Sequence, residues 1–188
     1  MLPYICSSIF EATLFSSAFS LAFHVFFRVG VIHIKDISIA NANDVDKIEL
    51  RIAFSKTDQH GHGSNIQIIQ DRTSTCAVVL LKKNIGLQQN HPGPLYCHFD
   101  GSPVTRYQFS AVLNKALKFI GVDTSFIRTH SFRIGAASSH FDKDTSPEEI
   151  KKTWKMEVRC IQMVHSLGSR HKFQLEACCV TLNEILVH

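Results

Sequence analysis

Sixteen consecutive residues, Ala12 to Phe27, contain no Asp, Glu, Lys or Arg, and this run limits the possible folds more than any other stretch. A segment of this kind either crosses a membrane or lies inside a protein core. It falls short of the roughly 20 apolar residues a spanning helix needs, and three serines and a histidine interrupt it. We therefore read it as a buried core helix. Phe15, Phe19, Phe23, Phe26 and Phe27 then form a wide face packed on several sides. The start of the chain does not read as a secretory signal, because Glu11 interrupts the early apolar stretch, no basic segment precedes it and no small-residue cleavage site follows.

A chain of 188 residues with 45% hydrophobic content can bury one sizeable core around such a helix, so one compact domain is expected. A net charge of +4 permits an anionic partner without demanding one. Cys6, Cys76, Cys97, Cys160, Cys178 and Cys179 show no C-x-x-C pair and no regular spacing. That pattern argues against a disulfide framework and a zinc module, and favours a reducing intracellular compartment.

Beyond the apolar run the period of the sequence changes. From Lys47 to Phe54, Ile48, Leu50, Ile52 and Phe54 alternate with Lys47, Glu49 and Arg51, the pattern of a half-buried strand. "DISIA" before it and "IQIIQ" after the glycine-bearing loop "KTDQHGHGSN" supply partners, giving a small antiparallel sheet of three strands. "CAVVLLKKNIG" reads as a short helix closed by Gly86. After the loop "QQNHPGP", Ser102-Pro103 opens a helix that runs to Gly121, with Val104, Phe109, Val112, Leu113, Leu117 and Ile120 at helical spacing. "SFRIGAASSHF" and "SPEEIKKTWKMEV" are two further helices. The second has Ser146 as cap, Pro147 in the first turn, and Glu148 and Glu149 against the positive helix end. The fold class is thus α+β, mainly helical, with one small antiparallel sheet.

"THSFRIGAASSH" holds the pair His130-x-x-Arg133. On a helix the two side chains share a face and can converge on one oxygen-rich group, while Gly135, Ala136 and Ala137 allow close helix packing. With 11 His among 188 residues, such a pair is expected about 0.5 times by chance, so a surface histidine beside a solvated arginine remains open on this motif alone. Position adds weight. Arg28 ends the apolar helix, where a guanidinium beside a core calls for an anionic partner. Lys56 keeps the parity of Ile52 and Phe54, and reads equally as a site lysine or as one flanking a hairpin.

An arginine after an apolar helix, a lysine on a β-hairpin and then H-x-x-R resembles the catalytic domain of the tyrosine recombinase (phage-type integrase) family. The blocks "FFRVG", "LRIAFSKTDQ", "CHFDGSPVTRYQF", "ALKFIG" and "THSFRIGAAS" look most like recombinases of eukaryotic mobile elements, from Phe10 to Val158. The resemblance implies the DNA breaking-rejoining catalytic core in residues 1–158, followed by a divergent tail, 159–188. It also implies a transesterification of DNA without metal or cofactor, in which a tyrosine attacks the scissile phosphate and leaves a 3′-phosphotyrosyl link and a 5′-hydroxyl. Arg28 and Arg133 then supply forked, permanently charged donors to the phosphoryl oxygens. His130 donates to the same phosphate, Lys56 protonates the leaving 5′-oxygen, and Trp154 offers an indole N–H. Lys115 and Lys118 are weak candidates for contacts to the DNA backbone. The implied partners are DNA and other copies assembled on it, with no membrane, and the implied location is the nucleus.

The chain departs from this pattern at the nucleophile. The family's tyrosine position falls near Gln162 or Met163, and Tyr4, Tyr96 and Tyr107 all precede His130. Tyr107 matches a family helix with no nucleophilic role. "IKKTWK" lacks the glycine that often precedes the family's His or Trp, and "FQLEACCVTLNEILVH" reads as an unrelated amphipathic helix. Two readings follow: a DNA strand-transferase domain with impaired catalysis, or a non-catalytic mobile-element remnant that keeps the fold and some DNA binding. The chain starts almost at the catalytic domain, so the core-binding domain that completes the family's DNA clamp is not expected. DNA affinity should then be weak and salt-dependent. His60-x-His62 with Cys76, and Cys97-His98, fit no standard metal site. Lys82, Lys83, Lys151 and Lys152 read as solvated faces.

Overall fold

The computed structural model describes residues 2–25, 32–42, 45–52, 64–71, 73, 75–88, 93–122, 124 and 185. A short helix α1 (Leu2–Ile5) leads into α2 (Ile9–Val25), and three strands follow: β1 (Ile37–Ala42), β2 (Val45–Ile52) and β3 (Ser64–Ile69). Helices α3 (Ala77–Leu87) and α4 (Arg106–Phe119) complete the described elements.

The apolar run is the buried helix expected of it. Ser8 caps α2 through its Oγ, which accepts the Glu11 N–H at 3.1 Å, and this places the Glu11 carboxylate in the first turn, against the positive helix end. Leu14, Phe15, Ala18, Phe19 and Leu21 are then 1% exposed or less. The hydroxyls in this helix are satisfied locally or by neighbours: Thr13 donates to the Ile9 carbonyl at 2.9 Å, Ser16 to Ala12 at 2.8 Å and Ser20 to the Thr75 carbonyl at 2.6 Å. Among the described residues, no helix is long and apolar enough to cross a membrane. Phe26 and Phe27 lie outside those residues.

The sheet has the order β1-β2-β3, antiparallel throughout. Its register aligns Ile37, Leu50 and Ile66 in one row and Ile39, Ile48 and Ile68 in the next, so the apolar residues share a face. Ile48 and Leu50 are buried, while Ile39 on the edge strand is exposed. Helix α3 touches both β2 and β3, and Lys82 on it pairs with Asp46 on β2, so Lys82 is tied across the fold rather than simply solvated. That bond, with a second from Asn41, holds the Asp46 carboxyl below its ordinary range. The pair is exposed and contributes little to stability.

Two helix ends differ from the sequence reading. Helix α3 passes through Gly86 to Leu87 and closes at Gln88, whose N–H reaches the carbonyls of Asn84 and Ile85. Helix α4 starts at Arg106 rather than after Ser102, because Thr105 and Gln108 form a reciprocal capping box. The Gln108 N–H donates to Thr105 Oγ1 at 3.2 Å, and the Thr105 N–H to Gln108 Oε1 at 2.8 Å. Gly121 does end this helix, at φ +75. The segment before α4 is a small hairpin, Tyr96 to Val104, in which the Val104 N–H bonds the Tyr96 carbonyl at 2.9 Å and the His98 N–H bonds Ser102 at 2.8 Å. Gly101, at φ 81, turns it.

The core lies where α2, α3, α4 and the sheet meet. Phe19 and Phe109 pack edge to face with ring centroids 4.8 Å apart, and Leu81, Leu95, Leu113 and Leu117 close around them. Ile185, near the end of the chain, belongs to the same buried cluster at 1% exposure.

Candidate functional site

Of the site residues expected from the sequence, Lys115 and Lys118 are among the described residues. Helix α2 ends at Val25, three residues before Arg28, and Arg28 itself lies outside the described residues. Strand β2 ends at Ile52 and β3 starts at Ser64; Lys56, between them in sequence, also lies outside. His130, Arg133 and Trp154 lie outside as well, as do the two helices expected to carry them. The parity argument for Lys56 has a firm base up to Leu50, since Ile48 and Leu50 are buried while Arg51 is exposed.

Lys115 and Lys118 are described, and both are exposed on α4 away from its buried stripe of Phe109, Leu113, Ala116 and Leu117. Lys118 sits in the last turn, where a cation also favours the negative helix end. Lys115 is close enough to Cys6 for its charge to act on that thiol, although burial dominates and pushes Cys6 up to about 11. Helix α4, which carries Lys115, packs against α1 at the start of the chain.

The tyrosines differ in kind. Tyr4 and Tyr107 are 80% and 82% exposed, and Tyr107 projects from the first turn of α4. Tyr96 is buried, with its hydroxyl 3.3 Å from Ser17 Oγ and donating to the Ser17 carbonyl at 3.2 Å. Burial pushes the Tyr96 phenol well above its ordinary range. A phenol kept protonated inside a core packs the fold and does not attack a phosphate.

Sequence reading passed over the amides of α3. Asn84 lies on the buried stripe of α3 with Ala77, Val78 and Leu81, and Gln88, which closes the helix, is buried as well. Among the described residues, neither Oδ1 nor Nδ2 of Asn84 has a hydrogen-bond partner, nor has Gln88 Oε1 or His98 Nε2. The i, i+4 spacing of the two amides was the available signal. Among the described residues, no group of three His, Cys, Asp or Glu could hold a metal ion.

No protein-family profile matches the chain. A curated relative, the integrase/recombinase xerD homolog of Selenomonas ruminantium, is 32% identical over 126 residues, covering 61% of this chain and 35% of that protein. Among solved structures, the XerH site-specific recombinase bound to difH in a pre-cleavage complex superposes over 94% of this chain and 49% of its own, with a TM-score of 0.64 at 14% identity. The post-cleavage complex of XerH with palindromic difH gives 0.66 at 13% identity, over 94% of this chain and 48% of that one. The Tn1549 transposon integrase with circular intermediate DNA gives 0.57 at 9%, over 94% and 61%. The fold is that of the tyrosine recombinase catalytic domain. The curated relative and the solved structures are all integrases or recombinases, and the chain spans about half or less of the curated relative and of the XerH chains.

Proposed function

We propose that this chain is a DNA recombination domain of the tyrosine recombinase type, closest to those of eukaryotic mobile elements, that grips a scissile phosphate but does not by itself complete strand transfer. One observation carries the reading: an arginine after α2, a lysine after β2 and H-x-x-R recur in family order on a chain with the recombinase fold. In this reading Arg28 and Arg133 hold the phosphoryl oxygens, His130 and Trp154 donate to them, and Lys56 protonates the 5′-leaving oxygen. Lys115 and Lys118 contact the DNA backbone weakly. The residues near the family's tyrosine position, Gln162 and Met163, cannot form the covalent intermediate. Identical copies assembled on DNA share that deficit. The domain then acts in the nucleus as a phosphate-binding module inherited from a mobile element.

A nicked suicide DNA substrate tests this directly. The protein is expected to give no covalent adduct on a denaturing gel, and an adduct would identify a nucleophile and overturn the impaired reading. Fluorescence anisotropy with duplex DNA tests the grip itself. Arg133→Ala is expected to weaken binding about tenfold and to flatten the dependence of affinity on salt; equal affinities for the two proteins would remove Arg133 from the clamp.

A further inference from the structure

Strand β1 lies at the edge of the sheet, and among the described residues it pairs with β2 alone. Natural edge strands are usually protected by charged side chains, proline, a bulge or extreme shortness, because their free backbone groups otherwise template another strand. β1 has none of these protections. Its sequence, ISIANA, is uncharged and free of proline, and its register with β2 runs without a slip from Ile37↔Leu50 to Ala42↔Val45. Ser38, Ile39, Ala40 and Asn41 are all exposed. On the apolar face Ile68 and Ile48 are buried at the strands α3 packs against, whereas Ile39, next in the same row, is 44% exposed.

The direction of the free backbone groups follows from one bond. The Gln70 N–H donates to the Asp46 carbonyl at 2.9 Å, so Asp46 turns its backbone toward β3. Alternation then turns Lys47 and Glu49 toward β1, where the register sets them opposite Ala40 and Ser38. The backbone groups of Ser38 and Ala40 are therefore bonded inside the sheet, and those of Ile37, Ile39 and Asn41 point outward. The Ile37 N–H is already bonded to the Ile34 carbonyl. The edge thus offers the Ile37 carbonyl, both groups of Ile39 and both of Asn41.

We propose that β1 pairs antiparallel with β1 of a second copy of this chain, about a two-fold axis at Ile39. This occupant fits because the edge is complementary to itself. A two-fold axis perpendicular to the sheet sets one residue opposite its own counterpart, and Ile39 is the middle of the outward set. Each Ile39 N–H then reaches the Ile39 carbonyl of the other copy, and each Asn41 N–H reaches the Ile37 carbonyl. On the apolar face Ile39 packs on its counterpart and carries the isoleucine row across the axis. On the other face Ser38 meets Ala40, and both are small. Each copy carries a net charge of +4, yet no charged side chain on the strand faces a like charge. The inference is independent of the DNA reading above, since β1 offers no cation to a phosphate.

Sedimentation velocity on the full chain without DNA, from micromolar to millimolar concentration, is expected to show a reversible equilibrium between monomer and dimer. One added strand pair is a small contact, so the dimer belongs to the weak, transient class. Ile39→Lys places like charges across the axis and should weaken the dimer about tenfold or more; Ile39→Glu should do the same. Mixing these two variants should restore a dimer, because opposite charges then meet at the axis. Ile39 is exposed on an edge, so circular dichroism should show both variants folded. Gln67→Lys, exposed on the opposite edge strand, should dimerise as wild type does. Hydrogen exchange gives a second readout. The amides of Ile39 and Asn41 should gain protection as concentration rises, while those of Ser38 and Ala40 are protected throughout. A monomer at every concentration, a dimer that survives Ile39→Lys, or variants that stay monomeric when mixed overturns the proposal. Loss of the dimer in Gln67→Lys would move the contact to β3 and overturn it as well. Protection of Ile39 and Asn41 only on adding an extended apolar peptide would assign the edge to a foreign strand and overturn the second copy.

Discussion

The Tyr96 hydroxyl reaches Ser17 from 79 residues away and ties the hairpin to the buried helix. Removing it in Tyr96→Phe is expected to cost about 1 kcal/mol at neutral pH, measured by urea unfolding. The pH dependence carries a second signature. Burial raises the folded-state pKa of this phenol above its ordinary value of 10.0, so its contribution is complete below that value and is lost as pH rises beyond it. Wild type should therefore lose stability above about pH 10 more steeply than Tyr96→Phe. Parallel pH profiles would show that Tyr96 ionises freely in the folded protein. Neither role was visible in the sequence, where Tyr96 and Tyr107 look alike. The 82% exposure of Tyr107 and the burial of Tyr96 come from partners brought in by the fold.

Elements were legible wherever one period ran long enough. The alternation from Lys47 to Ile52 gave β2 and its buried face, and the phenylalanines of α2 gave the core helix. Errors arose where two local signals competed. Ser102-Pro103 imitates a helix start, but Pro103 pairs with Cys97 in the hairpin and Thr105 takes the cap. Asp100-Gly101 was the hairpin's own signature. Gly86 imitates a helix stop, yet an added Cβ there would meet nothing within 4 Å and its φ is not among the positive ones. Gly86→Ala should raise stability by about 0.5–1 kcal/mol, whereas Gly121→Ala, at φ +75, should lower it by about 1–2 kcal/mol. Thermal melts of the two variants moving in the same direction would contradict these helix boundaries. The proposed site was legible only as an ordered set of residue types, because Arg28, Lys56, His130, Arg133 and Trp154 are far apart in the sequence and no single period spans them.

At the scale of the whole molecule, Ile185, in the stretch 159–188 expected from the sequence to diverge, belongs to the buried core cluster. Ile185→Ala should cost about 2–5 kcal/mol in urea unfolding; a negligible change would show that the tail end adds nothing to the domain. The contact between Phe19 and Phe109 has a further consequence, for synthesis on the ribosome. Helix α2 emerges early, but its aromatic partner follows on the order of ten seconds later at ordinary elongation rates. Throughout that interval the most apolar stretch of the chain has no core to enter. The nascent protein then presents a sticky surface, and its yield in a cell should depend on chaperones that shield α2 until α4 arrives.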